Sequence, residues 1–176
     1  MLDHLLAHVG EESSRAFLRY WFDLRGDRLM PERRDINPIA VAPLLPKMWL
    51  WDVVPERRDF RCRLAGEEIC AVFGRNPRGT LLGEWVPMGI VDVARPRYQR
   101  VIDEPAICVA QGMSYVADDK EAWCERVITP MTDGGDAPVV VFGITVWRTP
   151  GFVPGKIEHE HSTAQFFPLH RSPRPR

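Results

Sequence analysis

A chain of 176 residues is long enough for one domain with its own core and short for two. Hydrophobic residues make up 45% and charged residues 27%, which excludes wholesale disorder, and 23 Lys and Arg against 24 Asp and Glu give a net charge of −1, with no global pull toward nucleic acid. Cys62, Cys70, Cys108 and Cys124 form no C-x-x-C pair, no leader-like segment opens the chain, and no apolar run reaches about 18 residues, so a reduced, cytoplasmic protein without a membrane span is expected.

From Glu11 to Arg25, Phe17, Trp21 and Leu24 recur at helical spacing with Leu18 and Phe22 beside them, and Gly26 stops the helix. Pro31, Pro38 and Pro43 interrupt the segment that follows. Lys47 to Val54 reads as a strand with apolar residues on both faces, hence a central or covered one, and Phe60 to Leu64 alternates apolar and basic residues, completing a hairpin. Ile69, Val72 and Phe73 predict a short helix ending at Gly74, and Arg75 to Gly83 reads as loop. Gly89 to Asp103 is helix-like, with Pro96 expected to begin, kink or break it.

Ala106 to Val116, Ala122 to Met131 and Pro138 to Trp147 are strand candidates, the last two joined by the turn Asp133-Gly-Gly-Asp136. Without strand–helix alternation, the fold class is α+β: a five-stranded antiparallel sheet with helices on one face plus an N-terminal helix. The chain divides into an N-terminal helix over 1–28, a core over 29–149, and a tail over 150–176, rich in proline and histidine and expected to be mobile or to order on a partner.

Three blocks, Arg34-Asp-Ile-Asn-Pro38, Leu44-Leu-Pro-Lys-Met-Trp-Leu-Trp-Asp52 and Phe60-Arg-Cys-Arg-Leu-Ala-Gly66, followed by Phe73-Gly-Arg-Asn-Pro-Arg-Gly79, resemble the stand-alone bacterial PAS-type family of PAS_5-like single-domain proteins. The resemblance spans about Leu29 to Trp147 and implies a PAS fold, a sensory role in signal transduction and dimerisation through the helix before the core. It implies no particular ligand, since such cores hold haem, flavin, small acids or nothing. The reactive cysteine block of flavin photosensors is missing, and no histidine lies between Val9 and Ile157 to ligate haem, which argues against cysteinyl-flavin and histidine-ligated haem and leaves the cofactor unknown.

Cys62, Leu64, Val72, Phe73, Trp85, Met113 and Tyr115 are candidates to line a cavity between sheet and helices, or simply to fill a core. Arg61, Arg63 and Arg126 are candidate anion contacts, with solvent-facing or carboxylate-paired arginines as the alternative. Phe17, Trp21, Phe22 and Leu24 could meet a second copy or pack on their own sheet. His159 and His161 form a His-x-His pair in a polar tail, where no metal site is expected, and Asp118, Asp119, Glu121 and Glu125 read as a solvated hairpin tip. No nucleophile or zinc-protease string occurs. The leading reading is a non-enzymatic regulatory domain acting in trans on a small molecule or a signalling partner; the rivals are a ligand-free interaction adaptor and a small α+β enzyme.

Overall fold

The computed structural model describes residues 1–86, 88–116, 120–148 and 157–170, and of 114–116, 120–121 and 157–160 the backbone alone. The elements in chain order are α1 (Leu2–Leu6), α2 (Glu12–Arg25), β1 (Met48–Val54), β2 (Asp59–Ala65), α3 (Glu67–Phe73), α4 (Leu82–Trp85), α5 (Met88–Asp103), β3 (Ala106–Val116), β4 (Lys120–Met131), β5 (Val140–Arg148) and β6 (Ile157–Pro168). The strands form one antiparallel sheet in the order β2-β1-β5-β4-β3-β6. No helix among the described residues is long and apolar enough to cross a membrane.

Both faces of the sheet are covered, as the two-sided apolar pattern of β1 requires. Trp49 and Trp51 join Phe60, Cys62, Ile69, Val91 and Val101 in a core under α3, α4 and α5. Met48 and Leu50 point the other way and join Phe17, Leu18, Trp21, Val127, Phe142 and Ile144 in a second core under α1 and α2. The helices therefore divide between the two faces, with the N-terminal pair alone on its side. Pro96 lies inside α5 without ending it.

The sheet has six strands among the described residues, not five, and residues 157–168 of the expected mobile tail form the sixth. β6 pairs with β3 from Ile157 to Pro168. Two devices hold it. Opposite Ser162, Gly112 has no Cβ, and one built there would stand 2.3 Å from the His161 carbonyl oxygen, so glycine permits the close approach of the strands. From α5, Arg97 donates to Ser162 Oγ and O at 2.8 and 2.7 Å, and Arg100 lies 4.1 Å above the Phe166 ring. Phe167 faces the opposite side, against His4 and His8 of the N-terminal segment at ring distances of 5.6 and 4.9 Å. Asp118 and Asp119 lie outside the described residues.

Candidate functional site

Between the sheet and α3–α5 lies a cavity of about 50 Å³. Its floor is Trp49 and Trp51 of β1, Arg126 and Ile128 of β4, and Thr145 and Trp147 of β5; its roof is Ile69 and Phe73 of α3, Leu82 and Trp85 of α4, Val86, and Ile90, Ala94, Arg97 and Tyr98 of α5. Six aromatic rings line this space, with contacts among them: Trp49 stacks on Tyr98 at 5.2 Å, Trp51 meets Trp85 at 5.6 Å, and Phe73 meets Trp85 at 4.2 Å.

The floor is fitted around Trp49. Gly143 stands opposite it on β5, and a Cβ there would fall 2.4 Å from the Trp49 ring, so only glycine leaves room for the indole. Two residues on, Thr145 Oγ1 accepts from Trp49 Nε1 at 2.9 Å, a buried hydrogen bond that fixes the ring plane.

The roof over Trp85 is tied down by charge. Arg75 donates to the Glu84 and Trp85 carbonyls at 2.9 and 2.7 Å, satisfying the end of the short helix α4. Asp59, almost buried, accepts from Arg95 at 3.0 Å and from the Gly83 amide at 3.3 Å, linking β2, α4 and α5. Trp85 itself is buried, and its Nε1–H has no acceptor among the described residues. A buried indole donor left without a partner costs free energy until a ligand or water supplies one.

Of the residues expected to line a cavity, Phe73 and Trp85 do so; Cys62 and Val72 are buried in the same core without reaching the space. Leu64 is 41% exposed and lies elsewhere, a correction with a local cause: a bulge between Leu50 and Trp51 pairs Leu64 with Leu50, turning it to the opposite face from Cys62. Met113 is also outside the cavity, since alternation from Ala110 places it on the other face of β3. Tyr115 belongs to β3, and its side chain lies outside the described residues, as does that of His159; His161 is exposed on β6. Trp49, Trp51, Tyr98 and Arg97, which carry most of the cavity's character, were not singled out from sequence, although the alternation of β1 already placed the two tryptophans on one face.

The arginine trio is not brought together. Arg126 faces the cavity, 5.6 Å from the Trp147 ring, whereas Arg61 and Arg63 point to the other side of the sheet, where Arg63 pairs with Asp52 and Arg61 donates to the Gly79 carbonyl. Phe17 and Trp21 are fully buried against the chain's own sheet, leaving Phe22 and Leu24, half-buried, of the four expected interface residues. Glu125, expected at a solvated tip, is fully buried.

Burial pushes the Cys62 thiol from its ordinary 9 up to about 12, with Cys70 beside it adding to the rise. Thiol reagents at pH 8 are therefore expected to modify Cys62 only through unfolding. The unfolded thiol ionises above about 9 while the folded one keeps its proton to about 12, so the unfolded state binds fewer protons and stability falls as pH rises across that window. Cys62→Ala should flatten this part of the stability–pH curve, as read from urea midpoints; an unchanged slope would assign the loss to other groups.

A search of curated proteins finds no match to the chain. A crystal structure of a Rhodobacter sphaeroides LOV protein is similar at 16% identity and a TM-score of 0.45, each chain being covered over 60% of its length. A family model, PAS_5, described as a PAS domain, matches residues 9–146. The chain belongs to the PAS domain family.

Proposed function

We propose that this PAS domain is a non-enzymatic sensor acting in trans in bacterial signal transduction, whose input is a small, largely apolar molecule carrying a hydrogen-bond acceptor. The observation that carries the reading is the aromatic cavity under α3–α5, with Thr145, Arg97 and Arg126 as its polar groups and the Trp85 Nε1–H lacking an acceptor. Aromatic and aliphatic walls supply affinity, and one buried donor fixes orientation.

The small volume makes the cavity a switch rather than a container. A space of about 50 Å³ admits no more than a few waters, so a larger ligand enters only as Trp85 and α4 move outward. Such a ligand binds the displaced state better than the closed one, and this differential affinity is what shifts a conformational population. A signalling partner that reads the displaced roof completes the pathway. The same small volume supports a second reading, a ligand-free adaptor.

Native mass spectrometry of the protein purified from its own host tests the proposal. A mass excess lost on denaturation supports sensing, and a ligand-free species shifts the reading to the adaptor. With a ligand in hand, Trp85→Phe is expected to weaken binding roughly five- to tenfold, the worth of one neutral hydrogen bond. In the free protein the same change loses part of a ring packed on Trp51 and Phe73, about 1 kcal/mol, but no hydrogen bond, because the donor it removes has no partner among the described residues. Equal affinity in the variant would remove Trp85 from the site.

A further inference from the structure

On the sheet face opposite the cavity, three guanidiniums converge on one groove. Arg33 reaches it from the turn after α2, Arg63 from β2, and Arg78 from the loop between α3 and α4, with Asn76 beside it; the groove is about 520 Å³. We propose that this groove binds a compact organic phosphate with an apolar or planar portion, of the nucleotide class, independently of the cavity under α3–α5.

The arginines are held as a preformed set. Asp52 accepts from Arg63 through Nε at 2.7 Å and Nη2 at 2.5 Å, and Asp133 from Arg33 Nη2 at 2.7 Å, so both side chains are fixed in place by ion pairs. Arg78 is exposed, on a loop fixed by its own amide donating to Asn76 Oδ1 at 3.0 Å. The three guanidiniums of the groove outnumber Asp52 and Asp133, the two carboxylates that pair with them. Guanidinium N–H groups donate to phosphate oxygens, and side chains arriving from three elements surround a compact polyanion.

The apolar half of the ligand has a place as well. Leu64, 41% exposed, and Ala65 form one wall of this groove and also of a neighbouring one lined by Leu45 and Pro46. A volume of about 520 Å³ lies within the range of small-molecule sites. An extended acidic peptide fits less well: the outer edge of β2 is already closed by backbone hydrogen bonds from Cys62 to Thr80 at 2.9 Å and from Gly79 to Cys62 at 2.8 Å, which blocks strand addition.

Calorimetric titration of the full chain with ADP, pyrophosphate and adenosine tests the proposal. Saturable one-to-one binding is expected for ADP, weaker binding for pyrophosphate, and none for adenosine. Arg78→Ala and Arg63→Ala should each weaken ADP binding about tenfold or more. Arg78→Lys, which keeps the charge and loses the fork, should fall between. All three variants should retain wild-type circular dichroism, and Trp85→Phe should leave ADP binding unchanged, separating this site from the cavity. Absence of saturable ADP binding, or affinity unaltered in both alanine variants, overturns the assignment. So does a hexaglutamate peptide that binds through Arg63 and Arg78 where ADP does not, which would assign the groove to an acidic protein segment.

Discussion

Trp21→Ala is expected to destabilise the domain by about 3–5 kcal/mol, the range for emptying a fully buried large aromatic site. Trp21 is 0% exposed and sits with Phe17 and Leu18 between α2 and the sheet, Phe17 meeting Phe142 of β5 at 4.9 Å. For a chain of this size the loss lowers Tm by roughly 10 °C. Phe22, half-buried and edge-on to Trp21 at 5.2 Å, should cost about 1 kcal/mol when truncated. Urea denaturation combined with light scattering separates the two roles open to α2. A large stability loss with unchanged molar mass assigns Trp21 to the chain's own core; a fall in molar mass without loss of stability would restore it to an interface.

That side of the molecule illustrates what periodicity conveys. The spacing Phe17, Trp21, Leu24 predicts the helix to within a residue, since a bulky residue every turn has to be buried somewhere. Periodicity is silent on which surface does the burying. The matching surface is Met48, Leu50, Val127, Phe142 and Ile144, spread over three strands distant in sequence, and it exists only once the sheet is assembled. β1 through β5 were legible because each alternates or runs apolar between turn residues. β6 was not: a polar run from Glu158 to Thr163 fills most of it, and what anchors it, Arg97, Arg100 and the missing Cβ of Gly112, lies on other elements.

The cavity was half legible for a related reason. Phe73 sits on the predicted helix α3, whose apolar side is unambiguous, whereas Trp85 sits on α4, a single turn that begins inside the stretch read as loop. Leu64 was misplaced because strict alternation along β2 carries Phe60, Cys62 and Leu64 to one face, and a single bulge reverses the last of them. The exposed leucine that results is the residue bridging the two grooves on the opposite face. Arg61 and Arg63 share a face of β2, as alternation expects, while Arg126, grouped with them from sequence, belongs to the other side of the sheet.

Glu125→Ala is expected to cost about 2–4 kcal/mol, because the change strands several donors rather than removing one contact. The carboxylate, 0% exposed on β4, accepts from the Gly10 amide at 2.8 Å, the Glu11 amide at 3.1 Å and Gln111 Nε2 at 2.7 Å; Gln111 in turn reaches the His8 carbonyl at 3.0 Å. Gly10 and Glu11 join α1 to α2, and Glu11 also receives Arg148 Nε at 2.7 Å. One buried side chain thus moors the α1–α2 junction to the strand whose next residue, Arg126, faces the cavity on the other side. The loss should be local before it is global. Hydrogen exchange at the Gly10 and Glu11 amides should accelerate, together with loosening of the His4 and His8 packing on Phe167, while the amides of β1 and β5 slow-exchange as in the unaltered protein. Glu125→Gln, which keeps one acceptor oxygen but turns an amide N–H toward a backbone donor, should show the same pattern at about half the cost. If the Gly10 and Glu11 amides stay protected in both variants, the junction is held by α1 and α2 packing alone. Glu125 would then be a tolerated buried charge rather than the mooring between the N-terminal helices and the sheet.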